Sequence, residues 1–265
     1  AVLFATSCTE DMEYKDSKVP SVNQLHMLPF VRAAEAVAAA VAVLVISVNV
    51  SPTVANAMEQ VPIFGAIVKI VNFTTYSDKQ EKKQMEATVR VPEVQVIGTD
   101  GKPLTRESKE LNAAVSGYLD KIFQMYKKDV AAVSDGEEGH EEITSDYRIV
   151  TDNRRLFSLR VDTVIAMGGS DSFTKIYNID KKTGKMITLK DLFHEGSDYK
   201  KRISDSIKEQ MRAQMKEDSS KAYFLDDDQP EWDFKQIKDD ADFYISDNGE
   251  LTFVFDKYEV APGYM

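Results

Sequence analysis

Two stripes of apolar residues at helical spacing, set among segments that alternate, constrain the fold of this chain most. Leu111, Val115, Leu119, Ile122, Met125 or Tyr126, and Val130 fall on one face of a helix expected over Arg106 to Val130. Tyr199, Ile203, Ile207, Met211 and Met215 recur at steps of four in a second helix, Ser197 to Ser219. A helix with one apolar stripe must bury it against another element. The rest of the chain offers strands. Ala87 to Ile97 is rich in valine, and Pro92 points to an edge position. Thr99 to Leu104 reads as a turn. Tyr147 to Thr151 leads through Asp152-Asn153 into Leu156 to Ala166, where Phe157, Leu159, Val161, Thr163 and Ile165 alternate with more polar positions. Gly168-Gly169-Ser170 turns the chain into a strand, Phe173 to Ile179, and a second turn at Lys181 to Lys185 precedes MITLKDLF. Phe243 and Ile245, the turn Asp247-Asn248-Gly249, then Leu251, Phe253 and Phe255 form a closing hairpin, with Asn-Gly supplying the positive φ angles of a tight turn. The expectation is an α+β fold of antiparallel sheets, each packed with helices, over residues 87–265, with subregions 87–180 and 181–265.

Composition narrows the chemistry. With 43% hydrophobic and 29% charged residues, the chain can bury a core. The net charge is −11 and no Lys/Arg stripe is visible, so nucleic acid is not an expected partner. Cys8 is the single cysteine, which excludes an intrachain disulfide. Only His26, His140 and His194 are available as imidazole bases, and no Ser/His/Asp arrangement accompanies them, so an enzyme is not expected. Asp135 to Glu142, DGEEGHEE, holds His140 and four glutamates but no second His or Cys nearby, and reads as a solvated loop with no metal. The Gly168-Gly169 pair lacks the glycine spacing of a phosphate loop and leads into a strand, so no cofactor is expected there. Leu225 to Phe234, LDDDQPEWDF, is an acidic loop carrying the only tryptophan, Trp232. Such a Trp can anchor a partner, although packing onto the domain is its usual state.

The N-terminal third is different in kind. Ala36 to Val50 carries no charge, and extending to Ala33 gives eighteen residues that include Glu35. A bilayer crossing takes about 20 apolar residues. A transmembrane helix, a signal-peptide core and a buried helix all remain open. Arg32 precedes the run, Pro52 ends it, and Ala55-Asn56-Ala57 follows, which is the order of a signal-peptidase substrate. In Val61 to Phe73, the residues Ile63, Phe64, Ile67, Ile70 and Val71 fit a helical face, for a membrane surface or for the following domain. Ser77 to Ala87 is polar, a linker or the start of a strand. The expected division is a short N-terminal segment 1–32, a hydrophobic helix 33–50, a membrane-proximal segment 51–86, and the folded domain.

Several stretches go beyond pattern. YNIDKKTGKMITLKDLF (Tyr177 to Phe193), FYISDNGELTFVFDKYEVAPGYM (Phe243 to Met265) and GGSDSFTKIYNID (Gly168 to Asp180) resemble the extracellular domain of RsiV-like, membrane-anchored anti-sigma factors, which also accompanies PdaC-type deacetylases. VLVISVNVSPTVANAMEQVPIFGAIVKIV (Val43 to Val71) resembles the membrane helix and following stretch of that family. The resemblance implies a single-pass protein of the cell membrane. Its short cytoplasmic segment would hold an extracytoplasmic-function sigma factor, and its outer domain would bind lysozyme. Binding would expose a cut between Ala57 and Met58, flanked by Ala55, to signal peptidase, followed by an intramembrane protease. The family continues past the Ala-Pro element with a Gly and another strand, and both ends of this chain read as incomplete by that standard. The alternative is a cell-wall or glycan-binding module without a signalling role.

Overall fold

The computed structural model describes residues 42–47, 65–226, 231–247 and 249–265. In chain order the elements are β1 (Ala42–Ser47), β2 (Ile67–Gln80), β3 (Met85–Ile97), α1 (Thr105–Ala132), β4 (Glu141–Asp152), β5 (Leu156–Ala166), β6 (Ser170–Asp180), β7 (Lys185–Ile187), α2 (Tyr199–Glu217), β8 (Asp242–Ile245) and β9 (Glu250–Phe255). They form a six-stranded sheet, β2-β3-β4-β5-β6-β7, and a three-stranded sheet, β1-β9-β8. The α+β expectation holds, with one correction. β3 and β4 pair in parallel, Met85 opposite Glu141 through Val89 opposite Ser145. The connection between them is α1, and a helical crossover brings the chain back to enter the sheet in the same direction.

α1 lays Leu111, Val115 and Leu119 on Val94, Val96, Phe157, Leu159, Val161 and Ile179. Two turns further on, Tyr126 packs with Met85, Ala87 and Ile143, while Met125 is only partly buried. α2 buries Ile203, Ile207 and Met211 against Phe243, Leu251, Phe253 and Phe255 of the smaller sheet. Each of these fully buried side chains contributes about 1.5–3 kcal/mol.

Side chains, rather than strands, finish two open edges. Beyond Val89, no strand pairs with β3 on its β4 side, although the Leu104 amide donates to the Val96 carbonyl at 2.8 Å. There Asn112 of α1 accepts from the Val94 amide and donates to its carbonyl, both at 2.8 Å, and Ser108 Oγ accepts from the Val96 amide at 2.9 Å. Pro92 lies on this open stretch, where a missing N–H forfeits no ladder bond. The second case, on β6, belongs to the site described below.

The turn before β7 needs its glycine. Gly184 has φ +75°, and a Cβ there would stand 2.6 Å from Leu104 Cδ1 and 3.2 Å from Val96 Cγ1. Gly184→Ala is expected to lower the unfolding free energy by about 1–3 kcal/mol, from left-handed strain and overpacking together, measured as a shifted urea midpoint at unchanged slope.

The N-terminal third departs from expectation. Ile67 to Phe73, expected on a helical face, begins β2, and Ser77 to Gln80 ends it. A short 3-10 turn, Glu81–Lys83, then leads into β3. The sheet therefore starts within the stretch assigned to the membrane-proximal segment, and the boundary at 87 falls inside the β2–β3 hairpin. The apolar residues here satisfied a helical period in sequence, yet thirteen registered pairs with β3 hold them extended. Of the hydrophobic helix expected over 33–50, Ala42–Ser47 is a strand pairing antiparallel with β9, from Ala42 opposite Phe255 to Ser47 opposite Glu250. Val43, Val45 and Ile46 are β-branched and suit that state. Residues 33–41 and 48–50 lie outside the described residues. No helix among the described residues is long and apolar enough to cross a membrane.

Candidate functional site

The last ten residues of the chain carry an exposed aromatic surface and knit several elements to it. β9 ends at Phe255, and Tyr258 then takes φ +67°, a left-handed conformation uncommon outside glycine. Its ring is held on one side by Lys257, whose Nζ stands 5.1 Å from the ring centroid. Gly263 supports it on the other: a Cβ at Gly263 would lie 2.3 Å from Tyr258 Cε1. Tyr258 and the following Tyr264 remain 55% and 73% exposed. Lys257 Nζ also donates to the carbonyl and hydroxyl oxygens of Ser170, at 2.6 and 2.9 Å. That bond ties the β5–β6 hairpin tip, with exposed Met167, to the same surface.

The acidic loop joins from the other side. The Phe224 amide donates to the Val260 carbonyl at 2.9 Å, and the Phe234 amide donates to the Phe224 carbonyl at 2.7 Å. These bonds pinch the base of the loop onto the C-terminal turn. Trp232 meets Phe224 edge-on, with centroids 6.2 Å apart, and is still 62% exposed. It does not pack down in the way a lone tryptophan usually does. Arg212 of α2 makes a two-pronged bond to Asp226 at 2.7 and 3.0 Å and so fixes one end of the loop. Tyr258, Tyr264 and Trp232 thus stand on a braced scaffold as large, half-exposed aromatic groups, the side-chain type that dominates protein–protein contacts.

Behind this surface, β9 and β8 dock on the open edge of β6. Only Asn178 to Asp180 of β6 pair with β7. Upstream, the Thr174 amide donates to Asp256 Oδ1 at 2.7 Å and the Ile176 amide to Asp242 Oδ1 at 2.6 Å. The Lys257 amide donates to the Ser172 carbonyl at 3.2 Å. Asn178 closes the row, donating through Nδ2 to the Phe243 carbonyl at 2.7 Å while accepting from Ser158 Oγ at 2.6 Å. Burial pushes the Asp242 carboxyl up to about 6, against the opposing pull of Lys175 at 3.2 Å and the Ile176 amide. Burial also raises Asp256. A groove of about 520 Å³ runs between α1 and this layer, lined by Tyr118, Ile122, Lys175, Phe234, Asp242 and Asp256 among others.

Ala55, Ala57 and Met58, the expected processing site, lie outside the described residues. His140 is at φ +52° with Nε2 2.9 Å from Glu138, at an exposed position. Among the described residues no group of three His, Cys, Asp or Glu side chains is placed to hold a metal ion. Sequence reasoning singled out Trp232 but not Tyr258, Tyr264 or Met167. The available hint was the pair of tyrosines flanking a Pro-Gly turn at the end of the chain.

A family described as a protein of unknown function, DUF3298, matches residues 190–265. Two solved members of that family show distant likeness. One, from Bacteroides fragilis NCTC 9343, is 15% identical, with 77% of this chain and 88% of that chain covered and a TM-score of 0.46. The other, from Pseudomonas aeruginosa PAO1, is 10% identical, with 69% and 78% covered and a TM-score of 0.41. The sequence is 39% identical over 219 residues to the anti-sigma-V factor RsiV of Bacillus subtilis strain 168, covering 82% of this chain and 72% of that protein. Residues 65–265 alone are fewer than the aligned stretch, so the likeness runs into the segment ahead of the sheet. The chain belongs to the RsiV-like family.

Proposed function

We propose that this protein is a membrane-anchored anti-sigma factor whose folded domain faces outward, binds lysozyme and thereby licenses proteolysis that frees a sigma factor. The observation that carries this reading is the 39% identity to RsiV, extending ahead of the folded domain. The net charge of −11 suits a basic partner such as lysozyme, because opposite charge speeds and orients encounter. The aromatic surface of Trp232, Tyr258 and Tyr264 is the contact site in this scheme. Residues 33–50 enter the bilayer as a helix in the anchored protein. That state and the pairing of Ala42–Ser47 with β9 are mutually exclusive. Signal peptidase then cuts between Ala57 and Met58, and an intramembrane protease follows.

The test is the N-terminal sequence of the protein recovered from cells with and without lysozyme. A new terminus at Met58 that depends on lysozyme supports the scheme; an uncleaved chain in both conditions removes it. A glycan-binding module without a signalling role is the second outcome: the folded domain would then sediment with peptidoglycan and elute apart from lysozyme on a sizing column. Trp232→Ala and Tyr264→Ala are expected to weaken lysozyme binding tenfold or more, about 1.4 kcal/mol each, measured by calorimetry. Both should leave the unfolding free energy within about 0.5 kcal/mol of the parent, because the side chains are exposed.

A further inference from the structure

The chain enters the large sheet at one end, and that end is basic. β2 starts there, β3 and β4 end there, and the β4–β5 and β6–β7 turns lie beside them. The entering residues are wedged between those two turns. The Ala66 amide donates to the Lys181 carbonyl at 2.5 Å. A Cβ at Gly65 would lie 2.8 Å from the Arg154 carbonyl oxygen and 3.2 Å from Lys181 Cβ. The Lys181 amide donates to the Arg155 carbonyl at 2.7 Å, which ties one turn to the other. Arg154, Arg155, Lys182 and Lys185 are exposed on these turns, and Lys69 is exposed on β2. Lys181 is partly buried and pairs with Asp152. Ile67, 56% exposed, adds an apolar element.

The acids of this end are engaged within it. Asp180 accepts from the Lys182 amide at 2.8 Å, Asp100 accepts from the Lys102 amide at 3.0 Å, and Asp247 accepts from Asn153 Nδ2 at 3.5 Å. Glu107 at the start of α1 and Glu250 at the start of β9 stand further out, with Lys102 and Arg106. The opposite end has the reverse sign. Asp135, Glu137, Glu138, Glu141 and Glu142 lie between α1 and the start of β4, and Glu142 pairs across the sheet with Ala166 beside the β5–β6 tip. The cations there are Lys79, paired with Glu81, then Lys82, and Lys83, whose Nζ is held by the Val130 and Val133 carbonyls.

We propose that the basic end docks on the anionic headgroups of a phospholipid bilayer and stands the domain upright, with the aromatic surface facing away from the membrane. The proposal rests on the anchored reading of residues 33–50. In that reading residues 51–64 join the bilayer to Gly65, a tether of at most about 50 Å. A tether that short holds the domain over the surface at roughly millimolar effective concentration, so weak attraction is enough to orient it. Each Lys or Arg at an anionic surface strengthens binding roughly fivefold. The field reaches about 10 Å into 0.1 M salt, so the near end decides the orientation, not the net charge of −11. Turned over, the acidic end meets the same field and is repelled. The β5–β6 tip and the Tyr258 turn that it braces through Ser170 and Lys257 lie at the acidic end, open to a soluble partner.

Paramagnetic relaxation on the full chain tests this, in nanodiscs of phosphatidylcholine alone or mixed with phosphatidylglycerol, with a spin label on a minor lipid's headgroup. In the mixed discs the Arg155 and Lys182 amides should relax at least roughly fivefold faster than those of His140 and Gly168. The contrast should shrink in phosphatidylcholine, and also as salt rises from about 0.05 to 0.5 M. The triple variant Arg155→Glu, Lys182→Glu, Lys185→Glu should lose it while staying folded, because all three side chains are exposed. Where that variant does not fold, the salt response of the parent decides. The same contrast in both lipids overturns the proposal, and so does faster relaxation at Gly168 than at Arg155. A chain that stays out of the discs fails the anchored reading instead. Sedimentation with phosphatidylglycerol vesicles then decides the patch by itself: the parent should partition at least roughly tenfold more than the triple variant, and equal partition overturns the proposal. Retention by soluble polyphosphate without vesicle binding assigns the patch to a soluble polyanion and overturns it as well.

Discussion

Phe253→Ala is expected to reduce the unfolding free energy by about 3–5 kcal/mol, the largest effect of any single truncation in the C-terminal layer. Phe253 has no exposed surface and lies among Ile203, Ile207, Met211, Phe243 and Phe255. Its ring centroid is 6.3 Å from that of Phe243 on the facing strand. Truncation removes the ring's transfer free energy and leaves a cavity that α2 and the hairpin cannot both close. Ordinary domains are stable by only about 5–15 kcal/mol, so the loss is a large share of the total. Urea denaturation followed by fluorescence measures it. A shift below about 1 kcal/mol would mean that the two helices do not have separate cores. Because Tyr258, Tyr264 and Trp232 stand on this layer, partner binding should fall along with stability in this variant, unlike in the surface variants.

Arg160→Ala is expected to cost about 3–5 kcal/mol for a different reason. Arg160 is 5% exposed in the middle of β5. It donates through Nε to Asp162 at 2.6 Å and through a terminal nitrogen to Thr174 Oγ1 at 3.3 Å, while Thr174 Oγ1 donates to Asp162 at 3.0 Å. Arg148 reaches the other Asp162 oxygen at 3.2 Å from a more exposed position. Removing Arg160 empties a buried position in the sheet and leaves Thr174 and the partly exposed Asp162 carboxylate with Arg148 as the remaining cation, and breaking one half of a buried pair is far costlier than replacing both halves. The double variant Arg160→Met with Asp162→Leu should accordingly recover most of the loss. The comparison of the two unfolding free energies checks this, and equal losses would show that packing, not charge, sets the cost.

Much of the folded domain was legible because its rules are local. The stripe Leu111–Val115–Leu119 predicted α1 and its buried face, and steps of four from Tyr199 predicted α2. Phe157, Leu159 and Val161 are all fully buried at the alternating positions read as strand. The site was less legible. Trp232 could be named but not placed, since exposure depends on how Phe224, Val260 and Phe234 close the loop. Tyr258 and Tyr264 drew no notice because neither belongs to a periodic element. Ile67 to Phe73 misled for a related reason: a short apolar run satisfies a helical and an extended pattern alike, and length alone does not arbitrate.

Periodicity, turn chemistry and net charge are written in neighbouring residues, so the helices, hairpins and acidic character of this protein follow from the chain alone. The parallel β3–β4 pair, the side chains of Asn112, Asp242 and Asp256 on open strand edges, and the bracing of the aromatic turn by Lys257 and Ser170 do not. Each joins groups between about 18 and 90 residues apart, whose meeting is decided by which surfaces pack and which buried amides must find a partner.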